Sequence, residues 1–391
     1  MHIPSQIEYM LRKLAASGYE AYLVGGCVRD FLLGKTPNDY DITASALPEE
    51  TMKVFESDRV IPTGLKHGTV TVLYDGISSE ITTYRTETTY TDGRHPDKVE
   101  FSRCVSDDLC RRDFTVNAMA MDIDGNIVDL YGGREDLEKK VIRAVGDPYE
   151  RFFEDALRIL RAFRFASKLG FDIEANTLSA AVSLADRLSL VSRERIFDEL
   201  MKLICGMHAG KIVRLMYENK IFDYIFDRPV INEAALAYFD RMPPFENARF
   251  AALFLYDERI CEHVKSLKTS SQFALHIKKI AECRLPESCD KPTLRRVISE
   301  YGYAALDRCT AEGNSSGLGN MLFEIIDTET CLAVSDLDIS GSEVAAVTGR
   351  SGKAIGEALQ MLLFAVFDEK VANNRADLTE YIKKVDNTKK V

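Results

Sequence analysis

A pair of adjacent glycines followed at a fixed distance by two aspartates constrains this chain more than any other feature. Leu23-Val24-Gly25-Gly26 is typical of a strand that ends in a tight turn, and Asp39-Tyr40-Asp41 is typical of the next strand. Twelve residues separate Gly26 from Asp39, which is enough for one helix. Because side chains alternate along a strand, we expect the carboxylates of Asp39 and Asp41 on one face and Tyr40 on the other.

These residue types predict a metal-dependent chemistry. Mg²⁺ prefers hard oxygen ligands and is often held by one or two carboxylates together with substrate phosphates. Gly25 and Gly26 have no Cβ, so a triphosphate can approach backbone N–H groups there. An isolated Asp-x-Asp usually lies in a surface turn, but the strand–turn–helix context before this pair favours a functional site. We therefore predict a two-metal site for nucleotidyl transfer with Asp39 and Asp41 as ligands.

Composition sets outer limits on the class of protein. The length of 391 residues predicts two to four domains. No apolar run approaches the ~20 residues that span a bilayer, and no signal sequence opens the chain, so we expect no membrane association. Nine scattered cysteines argue against a disulfide framework and favour the cytoplasm. The net charge of −11 argues against a uniformly basic surface, but five basic residues cluster within 151–168.

The hydrophobic patterns divide the chain into an α/β part and a helical part. We predict a helix at Ser5–Ser17, strands at Ala21–Val24 and Asp39–Thr43, and a hairpin around Asp75-Gly76. Strand patterns fade after about Pro148 and helical periodicity continues to the C-terminus. The predicted fold class is a mixed α+β sheet domain followed by an all-α remainder. Predicted boundaries give four segments, 1–145, 146–210, 211–310 and 311–391, the last following a break at 313–317.

The motif from Leu23 to Gly34 with Asp39-Tyr40-Asp41 resembles the head domain of class II tRNA nucleotidyltransferases. This family, within the polymerase-β-like superfamily, contains the CCA-adding enzymes and the bacterial poly(A) polymerases, and the chain is most similar to the Gram-positive-type CCA-adding enzymes. The resemblance implies a polymerase-β-like head at 1–145, a neck with a nucleotide-template helix at 146–210, a body at 211–310 and a tRNA-binding tail at 311–391. It also implies Mg²⁺ as cofactor, CTP and ATP as substrates and the tRNA 3′ end as partner.

One further block and one further residue bear on the resemblance within the head. Asp108 to Ala118 resembles the second family motif, in which Arg112 offers a guanidinium to a phosphate or ribose oxygen. Asp113 and Asn117 have the groups to hold a sugar hydroxyl. Glu80, on the outer strand of the hairpin, occupies a place where superfamily members carry a third catalytic carboxylate. An exposed strand charge explains Glu80 equally well, so both interpretations stay open.

The segment from Glu154 to Phe165 resembles the family's base-reading motif. Helical spacing would place Asp155, Arg158 and Arg161 on one polar stripe, and Leu157, Ile159, Leu160 and Phe163 on the core. A carboxylate accepts from an exocyclic amine while a guanidinium donates to a ring nitrogen, a pattern that matches cytosine and adenine but not uracil or guanine. The nucleotide-binding residues that the resemblance implies are Gly26, Arg29, Arg112, Asp155, Arg158, Arg161 and Arg164.

Three more features bear on function. Val191 to Glu199 resembles the fifth family motif, which we interpret as a helix start at Ser192 that supports the template helix through Arg195 and Glu199. The loop between Arg85 and Lys98 resembles one that complete and A-adding enzymes keep and CC-adding enzymes lack. This loop counts against CC addition but not against A addition. The alternatives are an A-adding or CC-adding enzyme, a poly(A) polymerase, or an inactive RNA-binding relative. Intact Asp39 and Asp41 argue against inactivity, because binding alone would not require them.

Overall fold

The computed structural model describes residues 3–88, 98–287, 290–313 and 317–388, which form two compact units. The first unit comprises 1–228 and the second 229–391. Within the described ranges, no helix is long and apolar enough to cross a membrane. The four-segment division is finer than these two units and stays a prediction, and the predicted break at 313–317 falls mostly on residues outside the described ranges.

The first unit contains a seven-stranded mixed sheet with strand order β3-β4-β5-β2-β1-β8-β9. Two small two-stranded sheets, β6-β7 and β10-β11, accompany it. The strands are β1 (Ala21–Val24), β2 (Ile42–Ala44), β3 (Arg59–Gly64), β4 (Thr69–Tyr74), β5 (Ile77–Thr83), β6 (Arg85–Thr88), β7 (Lys98–Phe101), β8 (Met119–Met121), β9 (Ile127–Asp129), β10 (Val141–Ile142) and β11 (Asp172–Ile173).

The predicted strand β1 and the predicted hairpin are confirmed. β4 and β5 pair antiparallel, and their turn places Asp75 at φ 45° and Gly76 at φ 80°, the left-handed conformations that a tight two-residue hairpin turn requires. β1 pairs antiparallel with β2, which in turn pairs parallel with β5. The centre of the sheet thereby brings the end of β1, the start of β2 and the middle of β5 together.

Eleven helices lie in the described part of the first unit, and the helix predicted at Ser5–Ser17 is confirmed as α1. Three of them, α2, α7 and α9, carry residues of the site. α2 begins at the second glycine of the pair, and α7 packs against α9. The helices are α1 (Ser5–Ala16), α2 (Gly26–Leu32), α3 (Pro48–Val54), α4 (Val105–Cys110), α5 (Gly133–Lys139), α6 (Pro148–Glu154), α7 (Leu157–Leu169), α8 (Ala175–Ser183), α9 (Arg193–Ile204), α10 (Ala209–Glu218) and α11 (Phe222–Ile225).

The predicted apolar face of α7 is confirmed. Ile159, Leu160 and Phe163 are fully buried and Leu157 is almost so, because these positions recur on one side of the helix. Gly170 ends α7 in the left-handed conformation at φ 74°, a common helix C-terminus. The helix is thus held rigidly, with its arginines on the remaining side.

Among the described residues of the second unit, all regular elements are helices, joined by turns and irregular segments. Two apolar clusters form part of its core, one around Leu294, Leu322 and Ile325 and one around Leu362, Phe367 and Ile382. The helices are α12 (Glu233–Leu236), α13 (Glu246–Phe254), α14 (Ile260–Ser266), α15 (Ser271–Glu282), α16 (Lys291–Tyr301), α17 (Tyr303–Ala311), α18 (Leu318–Thr328), α19 (Gly341–Thr348), α20 (Lys353–Phe367) and α21 (Arg375–Thr388).

Candidate active site

The glycine pair and the two aspartates lie at the centre of the sheet in the first unit. Gly25 has φ 75° and Gly26 begins α2 directly after β1. The predicted strand Asp39–Thr43 is too long, since β2 begins only at Ile42. The carbonyl of Asp41 nevertheless accepts a hydrogen bond from the Val24 amide at 3.0 Å. Asp39 and Asp41 are exposed while Tyr40 is buried, so the predicted alternation of faces holds ahead of the strand.

The carboxylates of Asp39 and Asp41 have no ion-pair partner in the described structure. No hydrogen bond or ion pair joins the side chain of Asp39 or Asp41 to another described residue. The protein atoms crowded around the Asp41 carboxylate raise its pKa above the ordinary value, and the nearby carboxylates of Glu80 and Asp39 raise it further, while Arg112 opposes them. Crowded acidic groups of this kind are stabilised by a cation.

Glu80 lies on β5 with its side chain exposed. The parallel register aligns Ile42 with Ile81, so Glu80 and Asp41 each come one residue before an aligned pair. In the described ranges, however, no group of three or more His, Cys, Asp or Glu side chains is arranged to hold a metal. Asp39 and Asp41 alone would leave most coordination positions to phosphate and water oxygens, which is how Mg²⁺ is usually bound.

Arg112 is held beside the glycine pair by a buried carboxylate. Its Nη2 donates to Asp108 Oδ2 at 2.8 Å, and Arg111 Nη2 donates to Asp108 Oδ1 at 2.6 Å. Burial of Asp108 would raise its pKa, but Arg112 and Arg111 outweigh that effect and lower it. A Cβ on Gly25 would lie 3.1 Å from Arg112 Nη1, so the absence of a side chain there lets the guanidinium approach the turn.

A chain of hydrogen bonds links α2 to α7. Arg29 Nη1 donates to Asn117 Oδ1 at 2.7 Å, and Asn117 Nδ2 donates to Asp113 Oδ1 at 3.2 Å. Asp113 Oδ2 accepts from Arg161 Nε at 2.9 Å and from Nη2 at 2.6 Å. The sugar-holding role that we considered for Asp113 and Asn117 stays a prediction, and in this structure both side chains are engaged by arginines.

A second carboxylate serves two arginines of α7. Glu199, nearly buried on α9, lies 2.9 Å from Arg164 Nε and 3.7 Å from Arg161 Nη1.

Burial would raise the pKa of Asp113, but Arg161 lowers it below the ordinary value. The pKa of Arg164 is itself lowered, first by burial and then by the positive charge of Arg161.

The cationic field continues for one more turn along α7. Lys168 is exposed and follows Arg164 by four residues. Neighbouring groups partly shield the Lys168 amine from water, which lowers its pKa. The positive charges of Arg29 and Arg164 lower this pKa further. This side of α7 is therefore suited to a polyanion such as a polyphosphate.

Asp155 does not lie on the template helix as predicted. It falls between α6 and α7 in extended conformation, with φ −136° and ψ 104°. Its Oδ1 accepts from the Leu157 amide at 3.0 Å, as at a helix start, and its Oδ2 accepts from Arg195 Nη2 at 3.1 Å. Arg195 Nη1 is buried without a hydrogen-bond partner, so this guanidinium has a donor to spare.

Arg158 is directed into the protein rather than towards Asp155. Its Nη1 donates to Glu154 Oε2 at 2.6 Å and to the Arg151 carbonyl at 3.2 Å. Its Nη2 donates to the Arg111 carbonyl at 3.0 Å. Arg158 therefore joins α7 to α6 and to the residue that follows α4.

The supporting role predicted for the fifth motif agrees with its contacts. Ser192 precedes α9 but its hydroxyl makes no capping hydrogen bond, so only its position matches the prediction. Glu199 contacts Arg164 of α7, and Arg195 contacts Asp155 just before α7, as expected. The sequence patterns assigned no role to Asp108 or Phe165. Asp108 was detectable, because helical spacing places it three and four residues before Arg111 and Arg112.

Comparison with known proteins gives matches along the whole chain. The family model of the Poly A polymerase head domain matches residues 21–143, and a model of tRNA nucleotidyltransferase domain 2 matches 248–382. The chain is 36% identical to the CCA-adding enzyme of Leuconostoc mesenteroides over 96% of this chain and 94% of the relative. It is 35% identical to that of Streptococcus mutans, over 98% of each chain.

A solved structure is similar over the same extent. The Bacillus stearothermophilus CCA-adding enzyme in complex with CTP superposes with a TM-score of 0.83 at 30% identity, covering 100% of this chain and 99% of the other. Fold and sequence therefore agree on one family.

Proposed function

The chain belongs to the family of CCA-adding enzymes, which are tRNA nucleotidyltransferases, and we propose that it carries out the complete reaction of that family. In this proposal it adds C from CTP and A from ATP to the tRNA 3′ end without a nucleic-acid template, releasing pyrophosphate. Such an enzyme would work in the cytoplasm, where tRNA is processed.

One observation carries the proposal: unneutralised carboxylates and a field of arginines share one site. Asp39 and Asp41 lie beside the glycine pair. Arg112 also lies beside this pair, and its positive charge acts on the Asp41 carboxylate. The hydrogen-bonded chain runs from Arg29 to Arg161, and the negative charge of Asp155 acts on Arg161. A nucleoside triphosphate needs these three things together, namely metal ligands, cations for its phosphates and polar groups for its base.

The carboxylate pair fits Mg²⁺. Its two hard-oxygen side chains form no ion pair or hydrogen bond within the described structure, and the acidic neighbours of Asp41 destabilise its ionised form more than Arg112 stabilises it. Asp39 and Asp41 would hold the metal, which when bound supplies Lewis-acid activation of the attacking hydroxyl and charge neutralisation at the phosphates. The Val24 amide holds the backbone of Asp41, so at least this ligand is oriented before substrate arrives.

The arginines of the site then take defined tasks. Arg29, Arg112, Arg161 and Arg164 neutralise the phosphates and orient the α-phosphorus for in-line attack, with Gly26 leaving backbone accessible. Asp155 accepts from the exocyclic amine of cytosine or adenine. Arg158 donates to the ring nitrogen, which requires it to give up at least one of its bonds to Glu154 and the backbone carbonyls. Glu80 remains a candidate for orienting the primer hydroxyl.

The rivals differ from this proposal in what they add. A poly(A) polymerase or A-adding enzyme would use ATP alone, and a CC-adding enzyme CTP alone. The loop that bears on this choice, 85–98, includes residues 89–97, which lie outside the described ranges. An inactive RNA-binding relative would add nothing.

The decisive experiment offers each nucleotide separately to three tRNAs, lacking CCA, lacking only the final A, and intact. We expect C addition from CTP on the first, A addition from ATP on the second, and no addition on the third. Addition of A to the first tRNA with CTP absent, or continued growth of the third, would contradict the proposal. Failure on all three would leave the inactive relative.

A further inference from the structure

Phe165 lies where three arginines of the site meet. Its ring is buried, with 6% of the residue exposed. The guanidinium carbons of Arg164, Arg161 and Arg29 lie over it at 4.3, 5.2 and 5.5 Å from the ring centroid. All are within the ~6 Å over which a cation is attracted to an aromatic face. Because Arg29 comes from α2 and the others from α7, the ring is a contact point between the two elements.

The arrangement opposes a repulsion that the carboxylates only partly relieve. Asp113 binds Arg161 through two N–H groups, Glu199 forms an ion pair with Arg164, and Asp30 binds Arg29. These carboxylates leave the flat faces of the guanidiniums uncovered, and three like charges converge on the Phe165 ring. The negative face of an aromatic ring attracts such faces, whereas a Leu or Ile of similar volume would fill the space without attracting them.

The orientation of the ring is fixed by a second aromatic residue. Phe114 packs edge-on against Phe165, with ring centroids 5.7 Å apart and an interplanar angle of 74°. Phe114 is fully buried and directly follows Asp113, the residue that binds Arg161. The second motif therefore holds both the ring and one of the arginines upon it.

We infer that Phe165 is a positioning residue for the nucleotide polyphosphate: its face gathers Arg29, Arg161 and Arg164 into one array. This inference rests on the proposed function, in which these arginines bind the phosphates. Phe165 contacts no reacting atom and acts only through the three guanidiniums.

The test replaces Phe165 with 4-fluoro-, 3,5-difluoro- and 3,4,5-trifluorophenylalanine in the full chain. Each fluorine weakens the negative ring face with little change in shape. We expect KM for CTP and for ATP to rise stepwise with fluorine number, reaching on the order of tenfold for the trifluoro variant. KM for tRNA and the C-versus-U selectivity should stay at their wild-type values, since neither depends on the phosphate array.

Phe163 provides a matched control two residues earlier on α7. It is fully buried, and no cation of the described structure lies over its ring. The same fluorinated series at position 163 should give no trend in nucleotide KM. A second variant, Phe165→Leu, should raise nucleotide KM at least as much as trifluorination.

The outcomes separate the inference from the proposed function. If the wild-type enzyme adds C and A but KM is unchanged across the series at 165, the inference is wrong and the function stands. Equal trends at 163 and 165 would also overturn it, because they would reflect packing. If the wild-type enzyme adds no nucleotide to any tRNA, the proposed function fails instead.

Discussion

The two sides of the site differ in how their charges are balanced. On the carboxylate side, Asp39 and Asp41 form no ion pair with another described residue, and Asp41 carries a raised pKa that the positive charge of Arg112 only partly offsets. On the arginine side, Asp108, Asp113 and Glu199 partner nearly every guanidinium, and Asp113 carries a lowered pKa. The first is electrostatically incomplete, and in the proposed function a bound cation would complete it. The second is assembled in the absence of substrate, so under the same proposal it would orient phosphates without reorganisation.

The largest effect should come from removing a charge on the incomplete side. Asp39→Asn or Asp41→Asn should lower nucleotide addition by ~10³-fold or more, because a catalytic metal contributes several kcal/mol to the transition state. The protein should stay folded and still bind tRNA, as measured by circular dichroism and a filter-binding assay. Asp124→Asn, in an exposed turn, is the control, and more than a tenth of wild-type turnover in either site variant would refute the assignment.

On the balanced side, the same substitution should act mainly on stability. Asp113→Asn removes the counter-charge of Arg161 and should lower the free energy of unfolding of the first unit by about 3 kcal/mol. Because the folded-state pKa of Asp113 is lowered, this stabilisation is present above the ordinary carboxyl pKa and is lost as pH falls through the lowered value. Urea unfolding at neutral and acidic pH measures the difference.

Glu135→Gln is the matched control for Asp113→Asn, since Glu135 pairs with Lys139 on an exposed helix surface. Surface pairs contribute little, and we expect no measurable change. A stability loss as large as that of Asp113→Asn, or a pH-independent loss at position 113, would show that ion-pair burial is not the cause.

Asp155, which accepts a hydrogen bond from Arg195, belongs to neither side and tests base reading. Loss of one hydrogen bond to a charged group costs about 1.5–3 kcal/mol, so Asp155→Ala should lower kcat/KM for CTP and ATP by roughly 10- to 150-fold. The gap to UTP and GTP should narrow, because repulsion of their carbonyls disappears with the carboxylate. Kinetics with all four nucleotides on one tRNA decide this, with Glu150→Ala on exposed α6 as control. An unchanged C-versus-U ratio would exclude base reading by Asp155.

The smallest effect sharpens the comparison by its sign. Asp41→Asn should raise Tm at neutral pH although it abolishes activity, whereas Asp113→Asn should lower it. The raised pKa means that the ionised Asp41 destabilises the folded state at pH values above that pKa. The gain should disappear as pH falls below the ordinary carboxyl pKa, where Asp41 is protonated in both states. Thermal unfolding of the metal-free protein across pH measures it, and a lower Tm at neutral pH would disprove the imbalance.

Local patterns predicted the sheet centre and the apolar face of α7 well, because both arise from short-range periodicity. They failed at Asp155, since the charge spacing continues from α6 into α7 without a Gly or Pro to mark the interruption. The missed signal was Asp155 itself, an aspartate that accepts from the backbone of the following helix. The pairing of Asp113 with Arg161 was beyond such patterns, because 48 residues separate the partners.

The bond from Arg29 to Asn117 joins residues 88 positions apart, and Glu199 completes the arginine side from further along the chain. During synthesis, therefore, the glycine pair and both aspartates leave the ribosome long before their partners exist. Because long-range contacts form only after the loops between them close, the nascent head can bind a nucleotide in its final geometry only after α9 has emerged. The arginine side of the site therefore stays incomplete until translation has passed α9.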